Sequence, residues 1–267
     1  MRKVRGAPSR SFLVASVLCL AALAGSSSAS GMPTGEVVGW GWNYYGQTNI
    51  PGGLSNVVAI AAGDSQSLAL TAAGRVVGWG QYWNGSASVP VTIPSGLPNV
   101  VVIAAGHYHS LALTAEGRVV GWGANFSAQT NIPSGLSNVV AIAAGEYHSV
   151  ALTAEGRVVG WGGNGSGQTT IPSGLTNVVA IAAGGYHSLA LTAEGRVVGW
   201  GRSDSGQTTI PSTLTNVAAI AAGWIHSLAL TGDSSPVITV QPVSQGVNVG
   251  GTVTFQIRAA WLAGTPP

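Results

Sequence analysis

NVVAIAAGEYHSVALTAEGRVVGWG, from Asn138 to Gly162, recurs with few changes from Asn56, Asn99 and Asn177, and in part from Asn216. The tryptophan of its Gly-Trp-Gly ending falls at Trp40, Trp79, Trp122, Trp161 and Trp200, in steps of 39, 43, 39 and 39 residues. The long step marks an insertion of four residues. A fixed period of this length signals a unit that cannot bury its apolar face alone and stacks on its neighbours.

Each unit reads as three short strands. Val-Val-Ala-Ile-Ala-Ala-Gly, x-x-His-Ser-Leu-Ala-Leu-Thr and Val-Val-Gly-Trp-Gly are β-branched or alternating runs bounded by Gly, Pro and Asn. A polar loop carrying Gln47, Gln129, Gln168 or Gln207 leads into the next strand set. Ala-Glu-Gly-Arg at 115–118, 154–157 and 193–196 places Gly117, Gly156 and Gly195 where a tight hairpin needs positive φ. The adjacent Glu and Arg read as a solvated pair of little energetic weight. Antiparallel hairpins and a long repeat favour a propeller over a β-solenoid. The expected fold is all-β: a β-propeller of five short, mostly three-stranded blades, followed by a truncated β-sandwich fragment. Four blades are complete in sequence, at 56–80, 99–123, 138–162 and 177–201, whereas the fifth, 216–231, lacks its last strand. The lone strand 36–41 is expected to complete it and close the ring; the alternative is an incomplete ring.

Ala-Ala-Gly-x-x-His-Ser-Leu-Ala-Leu, at Ala104–Leu113, Ala182–Leu191 and Ala221–Leu230, resembles the signature of the regulator of chromosome condensation repeat, and the following Gly-x-Val-x-x-Trp-Gly supports it. The resemblance covers residues 36–232. It implies a propeller, usually of seven blades, so five units are a departure. The short period is more similar to secreted bacterial propellers of this repeat type that inhibit β-lactamases. The nuclear exchange activity of the founding member is not carried over.

The ends bear on location. Arg2, Lys3, Arg5 and Arg10 precede the apolar run Phe12–Gly25 and the small polar stretch SSSAS, the pattern of a secretory signal peptide with cleavage near Ala29. No later run is long enough to span a membrane. The expected organisation is a signal peptide at 1–29, a linker at 30–35, the propeller at 36–232 and, at 233–267, a linker with a truncated domain. That last region resembles the first strands of a bacterial immunoglobulin-like domain, of which a complete copy needs about 100 residues. The chain has 10 Lys+Arg against 8 Asp+Glu, but four of the bases precede residue 11. The mature balance is acidic, which disfavours nucleic acid as a partner. The single cysteine, Cys19, leaves with the signal, so no disulfide framework is expected.

No catalytic site is legible, and no cofactor or metal is expected. His109, His148, His187 and His226 recur at one repeat position, with Gln66 in the first copy. Equivalent positions on different blades lie around a ring, whereas zinc ligands must converge within about 2.0–2.3 Å of one point. A structural histidine bonded to backbone is the expectation. Asp64, Glu146 and Asp204 are each unique to one repeat, so no glycosidase carboxylate pair is assembled. Binding is better supported. Subtracting the repeated grammar leaves the loop after Gly-Trp-Gly and the pair before the histidine as the variable positions. Tyr108, Tyr147 and Tyr186 recur and read as caps on the blade core. Trp42, Tyr44, Tyr45, Tyr82, Trp83, Phe126 and Trp224 form the candidate binding surface, as loop aromatics on a rigid frame. The reading is an exported, non-enzymatic scaffold, secreted or at the cell surface, that binds a protein or glycan. An inhibitor capping another enzyme and a polysaccharide-active enzyme are the alternatives.

Overall fold

The computed structural model describes residues 35–232 and the backbone of two further strands, Pro236–Val240 and Arg258–Trp261. The expected signal peptide lies outside the described residues, as does all of the expected immunoglobulin-like region except these strands. Every regular element described is a strand. Among the described residues no helix is long and apolar enough to cross a membrane.

The blades follow the repeat. Blade 1 comprises β1 (Val57–Ala62), β2 (Gln66–Thr71) and β3 (Val76–Trp83), with β4 (Ser88–Pro90) added at its edge. Blade 2 is β5 (Val100–Ala105), β6 (His109–Thr114) and β7 (Val119–Gly123); blade 3 is β8 (Val139–Ala144), β9 (His148–Thr153) and β10 (Val158–Gly162). Blade 4 is β11 (Val178–Ala183), β12 (His187–Thr192) and β13 (Val197–Gly201), and blade 5 is β14 (Val217–Ala222) with β15 (Ser227–Thr231) alone. Pro236–Val240 and Arg258–Trp261, β16 and β17, form a separate antiparallel pair.

Consecutive blades pack sheet on sheet: β2 against β5, β6 against β8, β9 against β11 and β12 against β14. A central strand is therefore covered on both faces. Every residue of β6, β9 and β12 is buried, and neighbouring blades share clusters such as Leu111, Leu113, Ile142 and Trp161. This explains why the sequence is apolar or small on both faces where a half-exposed strand would alternate with charge. The hairpins carry positive φ at Gly117, Gly156 and Gly195, as their sequence requires. The glutamates do not pair with the adjacent arginines. Glu116, Glu155 and Glu194 instead accept from the Nδ2 of Asn99, Asn138 and Asn177, at 3.3, 3.2 and 3.1 Å. Those asparagines open each first strand with φ between 45° and 55°, a left-handed conformation that asparagine tolerates well.

Two features depart from the simple repeat. The four inserted residues lengthen β3 and return the chain as β4, so blade 1 is four-stranded. The expected closure is also not made. Residues 36–41 form neither the expected strand nor a ladder with β15; Gly35 makes an isolated bridge to Val57 instead, and Val37, Ile50 and Leu54 pack on Val57, Ala69 and Trp79. The cause is local. Gly39 lies against Thr48 as Gly121 lies against Thr130, and the Gln47 carbonyl of that loop accepts from Ser67 and Trp79, so the segment is held with its loop on blade 1.

Candidate functional site

The repeated histidine belongs to the frame. His109 Nε2 lies 2.8 Å from Ser149 Oγ, His148 Nε2 3.0 Å from Ser188 Oγ, and His187 Nε2 3.0 Å from Ser227 Oγ. Each serine hydroxyl donates to the carbonyl of Gln129, Gln168 or Gln207. Its one proton is thus committed, so the histidine donates from Nε2 and its Nδ1 is bare. The side-chain partner is the next blade's serine, and the backbone contact the sequence suggested is also made at His148, to His187. In blade 1 Gln66 performs the same task, its Nε2 donating to the carbonyls of Gly106 and His109. Burial lowers the pKa of His109 and His148 to about 3 and that of His187 to about 4. These rings are neutral staples between blades. Among the described residues no group of three His, Cys, Asp or Glu could hold a metal ion.

The variable positions share one face because the backbone ties them together. The residue after Gly-Trp-Gly donates its N–H to the residue before the histidine: Gln81 to Ser65, Ala124 to Tyr108, Gly163 to Tyr147 and Arg202 to Tyr186. Consecutive blades are strung by His107 to Gly145, Glu146 to Gly185 and Gly185 to Trp224. Loop and pair are therefore brought together in every complete blade, at the strand ends opposite the Glu-Gly-Arg hairpins.

Aromatic rings line that face in an almost unbroken path. Trp42, Tyr44 and Tyr45 contact one another at 5.0–6.1 Å between centroids. Tyr45, Asp64, Ser65, Trp83, Ser88 and Tyr108 surround a shallow pocket of about 160 Å³. Tyr108 meets Phe126 at 5.9 Å and Tyr147 at 5.8 Å, and Tyr147 meets Tyr186 at 5.9 Å. Arg202 lies over the Tyr186 ring at 5.8 Å. Trp224 crosses to His107 at 5.4 Å, over Gly185, where any Cβ would strike the indole. The path thus joins Trp42, Tyr44, Tyr45, Trp83, Phe126 and Trp224 of the expected surface. Tyr82 alternates with Trp83 along β3 and makes no ring contact described here. Sequence reasoning set Tyr108, Tyr147 and Tyr186 aside as core caps because they recur. They are half-buried links of the same path. Their recurrence beside a variable residue was the available signal.

The face is acidic beneath its rings. Asp64 lies 3.1 Å from His107 Nε2, and both side chains are largely buried. Glu146 is buried with one carboxylate oxygen unpartnered. Burial, and then the Glu146 charge, raise the phenol pKa of Tyr147 and push that of Tyr186 up to about 12. Tyr108 is raised by burial and by Asp64 and Glu146. Phenols held protonated are hydrogen-bond donors and apolar plates, not nucleophiles. A larger depression of about 380 Å³ lies at the opposite, hairpin end, between Glu194–Val197 and Ile210–Asn216. Its lining is the hairpin and the Ile-Pro-Ser loop that the repeats share, so it is a crevice of the frame.

Comparison with known families matches the regulator of chromosome condensation (RCC1) repeat at residues 57–86, 100–129, 139–168 and 178–207. No curated protein matches the chain. Among solved structures, Prp20p from Saccharomyces cerevisiae, described with its binding to Gsp1p and histones, is 26% identical, with TM-score 0.59 over 67% of this chain and 56% of its own. Yeast RCC1 (Prp20) bound by Kap60 is 27% identical, with TM-score 0.57 over 66% of this chain and 54% of that chain. Human WBSCR16, at 24% identity and TM-score 0.55 over 66% of this chain and 58% of its own, shares the fold. The chain thus spans little more than half the length of these structures.

Proposed function

We propose, from the premise that its repeats place this chain in the regulator of chromosome condensation repeat family, that it is an exported scaffold binding a protein partner through its aromatic face. The observation that carries this reading is the ring path from Trp42 to Trp224, in which the recurring Tyr108 and Tyr147 join aromatics from positions where the repeats disagree. Tyrosine and tryptophan give large contact area for little conformational entropy, and such residues dominate protein interfaces. The yeast relative's binding to Gsp1p and histones supports a protein as the partner class. The basic, apolar and small pattern of residues 1–29 supports an extracellular or cell-surface setting for that partner. An inhibitor is the special case in which the partner is an enzyme.

The test is capture from a secreted and surface protein fraction by the immobilised chain and by its Trp83→Ala/Tyr108→Ala variant, with an unchanged unfolding midpoint as the control. A specific partner is expected to fall by at least about tenfold with the variant. Equal recovery overturns the aromatic-face reading. A glycan is the second reading, favoured by the pocket in which Tyr45 and Trp83 stand beside Asp64 and Ser65. Glycan-array binding that the same variant abolishes would establish it.

A further inference from the structure

The two ends of the row of blades are complementary. At one end, Val38 and Trp40 of the extended segment 36–41 are 71% and 84% exposed. At the other, blade 5 as described ends at β15, whose Leu228 and Leu230 are 63% and 64% exposed, against 1% and 2% for Leu189 and Leu191 at the same positions of blade 4. The missing element of blade 5 is a Val-Val-Gly-Trp-Gly strand, and residues 37–41 read Val-Val-Gly-Trp-Gly. Gln207 bears the same mark of a missing partner. The carbonyls of Gln47, Gln129 and Gln168 each accept from a serine and from the Nε1 of Trp79, Trp161 or Trp200. The carbonyl of Gln207 accepts from Ser227 at 2.6 Å, and no tryptophan is described with it.

We propose that the chain assembles head to tail, with residues 36–41 of one copy adding to β15 of the next as the third strand of its blade 5. Within one chain the segment forms no ladder with β15, Gly35 being bridged to Val57 of blade 1 instead. The register follows from blade 4, where His187 faces Gly201, Leu189 faces Gly199 and Ala190 faces Val198. His226 then faces Gly41 of the second copy, Leu228 faces Gly39 and Ala229 faces Val38. Trp40 donates to the Gln207 carbonyl. The added strand hydrogen-bonds an exposed edge, and blade 1 of that copy covers the leucines as blade 5 covers Leu189 and Leu191, which is strand addition between copies. Donor and acceptor edges differ, so the contact is heterologous and builds an open filament or a closed ring of copies.

Cysteine pairs test this in a Cys19→Ser background. Val38→Cys and Ala229→Cys chains, mixed and oxidised, are expected to give a disulfide-linked heterodimer, and the double variant a ladder of oligomers. A double variant that cross-links within a single chain shows self-closure and overturns the proposal, as does failure to cross-link at all. Light scattering gives the second readout. The wild-type mass is expected to rise with concentration, and Trp40→Ser, at a position already exposed in the single chain, to abolish the rise. A wild-type chain that is monomeric at every concentration overturns it.

Discussion

His148 is a titratable group that the fold keeps from titrating. Its ring packs against Gly145, where a Cβ would clash with the imidazole, and it reaches Ser188 in the next blade. Gln66 shows that an amide can do the same inter-blade work. His148→Gln is therefore expected to lie within about 1 kcal/mol of wild type, and His148→Ala to cost about 2–4 kcal/mol through a cavity and an orphaned serine, read from urea midpoints. The pH dependence has a defined sign. The folded pKa of His109 and His148, about 3, lies below the ordinary value of 6.5. Between these values the unfolded chain binds more protons, so this stabilisation is complete above about pH 6.5 and falls as pH drops towards 3. Each ring contributes a slope of up to about 1.4 kcal/mol per pH unit. His148→Gln removes one of these slopes, and an unchanged profile would show that the ring is not neutral and buried.

At the scale of the element, the strands were legible in the sequence because each run of apolar residues is bounded by a residue with a specific backbone task. Gly117 at the hairpin and Asn138 at the strand entry are examples. The binding face was legible only in part. Trp83 and Phe126 stand out because they vary, whereas Tyr147 looked like frame because it recurs, and only the ladder of ring contacts shows that it belongs to both. The direction taken by strand 36–41 was not legible. Residues 36–41 read as a strand, yet only the Gly35–Val57 bridge forms, and the loop after them, bonded to Ser67 and Trp79, holds them on blade 1. The insertion shows how such loops act. In blades 1, 3 and 4 the tryptophan Nε1 donates to a glutamine carbonyl, but in blade 2 the residue at that position is Pro90 within β4, and Trp122 Nε1 is left without a partner. Trp161→Phe is thus expected to lose about 1 kcal/mol more than Trp122→Phe, since only the first breaks a hydrogen bond. Equal losses would show that the loop carbonyl contributes nothing to blade stability.

For the whole molecule, stacking in a row makes stability depend on how many neighbours a blade has. The sequence Ser-Leu-Ala-Leu-Thr appears in β12 and again in β15, yet its leucines are buried in the first and exposed in the second. Residue identity is held constant, so the difference isolates the neighbour. Leu189→Ala is expected to cost about 2–5 kcal/mol, as for other fully buried leucines, and Leu228→Ala less than about 1 kcal/mol in dilute solution. Raising the concentration separates a spare edge from a docking edge. If a second copy covers β15, the cost of Leu228→Ala grows as the chain associates, because the wild type alone gains stability from binding. If the edge is merely terminal, the cost stays small at every concentration. The Leu189→Ala cost is set inside one chain and is expected not to move, which makes it the internal reference for the measurement.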